Sequence, residues 1–409
     1  MNNPFLSVTD AQLVFDGPAL RGNAFMKILA TSGAIALGCL SFNAYAGKPA
    51  SIDVAGFDFT PTLKLSERYD DNFRALQDSE KVSSWITSVN PTFLMEANTR
   101  NSGYQLEYSL DDQIYHDVSS ASHTDHSLAF RSVLQLDSIN RLHYDLSYKK
   151  LELTSDTADD VDNDRLTLAH AGVGYTLGTK EGLNQFDTAL NYEQRRYQNA
   201  DGLNDDKERN TTAVTGTWYH RLTGKTRTLA EIRYTDFDYL QASSGRSSVG
   251  TAALVGLTWE ATAQTTGTLR LGEERKDFSD NDRDDKSPTW EVGVDWKPLT
   301  YSTFSLKTRK AYDEGDDDAT SIHQVSTTLG WKHEWSGRIK TRLDLTHADR
   351  EYEGLDRDDR RNIYGGEVTY ALRRWVDITA RLQHTNNESN DSSEAYKRNL
   401  YLLSLEFSL

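Results

Sequence analysis

The residues Tyr401, Leu403, Leu405, Phe407 and Leu409 alternate with Leu402, Ser404, Glu406 and Ser408. A period of two is that of a β-strand whose two faces meet different surroundings. Eighteen segments follow this pattern, from Phe57–Arg68 to Tyr396–Leu409. In the six cleanest, such as Trp290, Val292, Val294 and Trp296, none of 25 apolar-face positions is charged, whereas eight of the 19 interleaved ones are. Charge makes up 26% of the chain, so a random distribution would place several on both faces. No helix-period segment of any length interrupts the series.

Three features separate a membrane barrel from a soluble sandwich, which would also alternate. Tyr144, Tyr148, Tyr192, Trp218, Trp259, Trp290, Trp296 and Trp331 recur at the ends of the apolar faces, where amphipathic rings suit a hydrocarbon–water boundary. The opposite faces are too rich in charge for a dry core. The gaps alternate in length: short ones such as Asp137–Asn140 and Gly178–Gly182, then long acidic ones such as 155–164 and 277–287. Short turns at one end and long loops at the other predict a closed antiparallel transmembrane β-barrel of about 18 strands. Closure is required because an open edge would leave amides unpaired in lipid. The outer membrane of a Gram-negative bacterium is the expected location, with lipid and lipopolysaccharide against the wall.

The mean hydropathy of −0.66 and net charge of −17 exclude a bundle of membrane helices. One apolar run, Ile28–Phe42, follows Lys27 and precedes Ala44-Tyr45-Ala46. That layout predicts a signal peptide over 26–46, with 1–25 an upstream extension and 47–409 the barrel. A lipoprotein site at Ala36-Leu37-Gly38-Cys39 is the alternative. Cys39 is the only cysteine, so a chain cleaved after Ala46 has no disulfide and no thiol chemistry. Pro61 and Pro91 fall inside strands and predict a rim, bulge or weakly paired seam. The apolar phase slips between Leu166, Leu168 and Val173, Tyr175, Leu177, which predicts a bulge near Gly172.

Phase also assigns the inner face. Its candidate pore-lining residues are basic Lys64, Arg68, Arg131, Arg233, Arg270, Lys307, Arg309, Lys340, Arg342 and Arg381, and acidic Glu107, Asp145, Asp187, Glu231, Glu291, Asp295, Asp344 and Glu367. They read either as a wall cross-linked by ion pairs or as a path for an anionic or hydroxyl-rich solute. Inward aromatics are few, Tyr219 among them. The acidic loops read as solvation or as divalent-cation ligands, with Asp316-Asp317-Asp318 the densest run. His123, Asp125 and His126 share one segment and could hold a metal or simply be loop residues. No nucleophile elbow, zinc-protease motif or phosphate loop is present. Neither catalysis nor a resident cofactor or metal is expected, and no nucleic-acid partner. An outer-membrane hydrolase and a surface-adhesion scaffold remain as minor alternatives.

The stretch Tyr69-Asp70-Asp71-Asn72-Phe73 resembles the end of the opening strand in the β-barrel porin 2 family, as do Arg- and Tyr-rich strand ends such as Glu193–Tyr197. The terminal set Tyr401, Leu403, Leu405, Phe407 and Leu409 is similar to the signal read by the outer-membrane assembly machinery, although the last residue is Leu rather than Phe. The resemblance implies a barrel for exopolysaccharide or capsule export that works with a periplasmic polysaccharide export protein. It defines no catalytic residues. A general or substrate-selective diffusion porin is the second reading.

Overall fold

The computed structural model describes residues 51–154, 162–202, 204–262, 264–279, 284–315 and 319–408. The expectations for 1–46, for Asp316-Asp317-Asp318 and for Leu409 lie outside them. A short strand β1 (Ile52–Val54) precedes the wall strands β2 (Phe57–Asp70), β3 (Ser84–Asn98), β4 (Ser102–Tyr115), β5 (His123–Gln135), β6 (Asn140–Leu153) and β7 (Asp164–Leu177). Next come β8 (Asn184–Tyr197), β9 (Arg209–Thr223), β10 (Thr226–Tyr239), β11 (Ser248–Thr262), β12 (Thr265–Phe278) and β13 (Asp284–Leu299). The wall ends with β14 (Ser302–Glu314), β15 (Ser321–Glu334), β16 (Ile339–Glu353), β17 (Arg357–Arg373), β18 (Val376–Ser389) and β19 (Tyr396–Ser408).

Each wall strand pairs antiparallel with its chain neighbours, and β19 returns to β2 from Leu400↔Asp70 to Ser408↔Thr62. The result is the closed 18-strand barrel that the period-two pattern requires. Large apolar side chains at outward positions, such as Trp85, Leu106, Leu146, Ile232, Leu343, Tyr401 and Leu403, are exposed on the outer face. Near the short turns, Trp296, Phe304, Trp331, His333 and Trp335 follow one another at ring spacings of 4.3–6.2 Å. Such a girdle suits the membrane interface, where rings take one apolar and one wet side.

Asp137 shows how a short turn is set. Its carboxylate accepts from the Ile139 and Asn140 N–H groups at 2.8 and 2.9 Å. The Ile139 N–H, then the Asn140 side chain, holds the group below the usual carboxylate range. Pro91 interrupts pairing. The β3–β4 ladder skips from Val89↔Asp112 to Thr92↔Ser109 without changing register, and Asn90 bridges the break by donating to the Leu110 carbonyl at 2.5 Å. Pro61 stays paired with Phe93 on β3, and β1 pairs with β2 from Phe57 to Phe59.

Two expectations need correction. There is no bulge at Gly172: β7 pairs with β6 and β8 without a register shift. The apolar phase slips because Leu166 and Leu168 point inward, where they pack with Leu151, Leu153 and Tyr197. The strands also run well past their predicted ends. The predicted gap of 348–361 contains only 354–356 outside strands. Sequence phase stops where outward residues cease to be apolar, but the backbone ladder continues into the polar layer above the hydrocarbon. There the outer face carries ion pairs instead, including Arg275–Asp284 at 2.7 Å, Lys286–Glu273 at 2.8 Å and Arg360–Asp349 at 3.3 Å.

A second seam, β13–β14, is shortened. The β13–β14 ladder extends only from Leu299↔Ser302 to Trp290↔Lys310. Above it lies Pro288, which has no N–H to donate. Side chains close the gap: Thr289 donates to the Lys310 carbonyl at 2.6 Å, and Glu274 accepts the Tyr312 N–H at 2.7 Å.

Candidate functional site

The register places all eighteen charges assigned from phase on the inward face. Most of them are half-buried; Glu231 and Arg68 are buried, and Lys307 and Asp295 are exposed. Arg233 on β10 joins Glu291 on β13 through two bonds of 2.6 and 3.1 Å, and Glu231 on its own strand at 2.6 Å. Arg270 on β12 contacts Glu231 at 3.2 Å and Glu291 at 3.6 Å. Between β10 and β13 the inward face carries Ala252, Leu254 and Gly256 on β11 and Gly272 on β12, and the small residues flanking Leu254 leave room for these side chains to meet. Glycine in a strand marks close backbone approach, and Gly256 and Gly272 form a corner of the wall across which long side chains meet. Elsewhere Arg309 pairs with Asp313 at 3.1 Å, Arg342 with Asp344 at 2.6 Å, and Asp145 with His170 at 2.5 Å. Arg68 and Arg381 donate to Gln113 and Gln383 at 3.2 and 2.9 Å. Lys340 lies 3.9 Å from Glu334. Lys64, Arg131, Glu107 and Glu367 occupy inner positions of the same wall.

Toward the long loops the inner face tightens. Tyr115, Tyr197, Tyr239, Phe278, Tyr352 and Tyr396 stand at or next to the extracellular ends of six strands spread around the circumference, and all are buried. Phase suggests few inward aromatics because all of these positions except Tyr396 fall in stretches read as loop. They hold the loops down. Tyr115 packs with Phe73, Ile86 and Ala121, Tyr352 with Ala319 and Ile322, and Tyr396 with Ala75. Buried cations accompany them: Arg68, Arg74, Arg195, Arg209, Arg246, Lys276, Arg350, Arg357, Arg361 and Arg398. Of these only Arg68 was anticipated. The others lie beyond the apolar phase, although Arg357-Asp359-Arg361 keeps the two-residue period and could have been followed further. Three loops are tied side by side by asparagines, with Asn163 donating to the Ala121 carbonyl at 3.2 Å, Asn199 to the Asn163 carbonyl at 3.0 Å, and Asn204 to Asp164 at 2.7 Å.

The stretch Tyr69–Phe73 lies where the barrel closes. Tyr69 stacks on Tyr401 at 6.4 Å and beside Trp85 at 5.3 Å. Asp70 and Arg398 form a fully buried pair across β2 and β19, with Nε at 2.8 and 3.0 Å from the two carboxylate oxygens. Asp71 accepts the backbone and side-chain N–H groups of Asn399, each at 2.6 Å. Asn72 donates to the carbonyls of Leu76 and Lys397 at 2.6 and 3.0 Å and accepts the Leu76 N–H at 3.1 Å. Phe73 then turns into the cluster with Tyr115. The motif therefore fastens the last strand to the first and folds the first loop inward. Of the terminal apolar set, Tyr401, Leu403, Leu405 and Phe407 all face outward on β19.

Alternation separates the histidine pair: His123 faces inward and its Nδ1–H donates to the Ala121 carbonyl at 2.7 Å, while His126 faces outward beside the Tyr108 hydroxyl at 2.9 Å. Among the described residues, no three His, Asp or Glu side chains converge as metal ligands.

Similar solved structures include OccK2 (OpdF) of Pseudomonas aeruginosa in complex with glucuronate, at 11% identity and a TM-score of 0.50 over 86% of this chain and 98% of that one. The outer-membrane protein OpdK of the same organism gives 12%, 0.49, 86% and 99%. The FrpB iron transporter of Neisseria meningitidis gives 11% and 0.47 over 81% of this chain, which spans only 62% of that protein. No curated protein matches. Residues 46–409 match the family described as "Putative beta-barrel porin 2", and this chain therefore belongs to that family of Gram-negative outer-membrane barrels.

Proposed function

We propose that the barrel conducts a hydroxyl-rich, acidic saccharide across the outer membrane, and that its task is export of an exopolysaccharide or capsular polysaccharide delivered by a periplasmic export protein. The observation that carries this reading is the inner face itself. It is polar and partly wet along the middle, with ion pairs that turn charge into hydrogen-bonding surface, and toward the mouth it carries a layer of buried arginines and tyrosines. Guanidinium groups suit carboxylates, and an 18-strand wall leaves room for an aqueous path.

Deleting the gene tests the proposal. Surface polysaccharide should be lost and polymer should collect in the periplasm. Intact surface polysaccharide with slower uptake of small acidic sugars would instead assign the barrel to substrate-selective diffusion. The ion-pair corner gives a second test in planar bilayers. Glu291→Gln frees Arg233 and Arg270 from one carboxylate, so the reversal potential in a KCl gradient should move toward anion selectivity. An unchanged potential would place the corner outside the conducting path.

A further inference from the structure

Arg195 and Arg209 stand directly opposite each other on β8 and β9, and Tyr239 on β10 continues the row. Both guanidiniums point inward and are buried, at 3% and 2% exposure. Like charges directly opposite on a sheet repel, and burial removes the water that would screen them. The row contains no carboxylate. Glu314, the acid nearest its end, is engaged by the Tyr239 hydroxyl at 2.9 Å and by Lys276 at 2.5 Å. Glu193 lies one inward position below Arg195. The Arg209 guanidinium sits 5.5 Å from the Tyr239 ring centre, which supplies a face but no negative charge. Nε and Nη1 of Arg195 and Nε of Arg209 are buried without a hydrogen-bond partner. A buried guanidinium with idle N–H groups is costly unless an acceptor arrives. A third buried arginine, Arg361, shows the same lack at both Nη atoms, so the loop-side part of the wall has more than one such place.

We propose that Arg195 and Arg209 form an oxyanion-binding site in the loop-side part of the barrel, taking a carboxylate or a phosphate between their planar donor forks. The site rests on the channel reading for its purpose, which is to retain solutes bearing such a group, but not for its chemistry. The carboxylate would come from an acidic sugar; the phosphate, from free phosphate or a lipid headgroup.

The test uses purified full-length barrel in detergent at constant ionic strength, with the unfolding temperature read from the gel shift between folded and heated forms. Galacturonate or inorganic phosphate should raise that temperature, and galactose should not. A response to galacturonate alone assigns the acidic-sugar source, and one to phosphate alone the phosphate source. In Arg195→Gln and Arg209→Gln the anion response should weaken by about tenfold or more, while the anion-free barrel unfolds no earlier than the parent because one repelling charge is gone. If those variants do not refold, Arg195→Lys and Arg209→Lys keep the charge without the fork and should weaken the response by a similar factor. No anion response in the parent, or an equal response in the variants, overturns the site. Conductance of the same preparations separates the two claims. A conducting barrel without the anion response rejects the site alone, and an anion response in a barrel that passes no current rejects the channel alone.

Discussion

Asp70→Ala should leave the barrel unable to hold its closing seam, with a loss of roughly 3–5 kcal/mol. Arg398 would remain buried at 2% exposure with its strongest partner gone, and it already has an idle Nη1. Removing one member of a buried pair leaves an uncompensated charge, which costs far more than the pair contributes. The double change Asp70→Leu with Arg398→Met should therefore recover much of the loss, since an apolar pair of similar bulk carries no such charge. The folded band on unheated gels reports both. Equal damage in the single and double variants would mean that packing, rather than the charge, holds this point.

The second large effect concerns the glycine corner. A Cβ built on Gly256 would lie 1.9 Å from the Leu269 carbonyl oxygen, and one on Gly272 would lie 2.0 Å from that of Ala253. These obstacles are backbone of the paired strand, so nothing can swing aside, and β11 and β12 must separate. Gly256→Val or Gly272→Val should cost about 3 kcal/mol or more and break the reach of Arg233 to Glu291. Gly293→Ala is the control, because a Cβ there meets nothing within 4 Å. Refolding yield should fall in the first two variants and stay at the parent level in the control. A Gly256→Val barrel with parental yield would show that the corner is not set by these residues.

Most of the architecture was legible because lipid imposes a strict rule on outward positions. Trp290, Val292, Val294 and Trp296 obey it, and once their phase is known the opposite charges Glu291 and Asp295 follow. Legibility fails where lipid stops. Above the apolar belt both faces of a strand are polar, so Arg357–Arg361 and Arg350–Tyr352 looked like loop although they are paired wall. It fails again where the interior is apolar, as at Leu166 and Leu168, whose inward packing imitated a slip in register. The closing contacts were beyond any local reading. Asp70, Asp71 and Asn72 were recognisable as a motif, but nothing in that stretch names Arg398, Asn399 and Lys397 as partners.

That pairing has a bearing on how the ring can form. Asp70 and Arg398 are separated by 328 positions, so closure depends on the meeting of the first and last wall strands. Ring-closing entropy must be overcome before any of these bonds is made. Until the final hairpin arrives, β2 presents an unpaired edge that only a protective host could keep from straying.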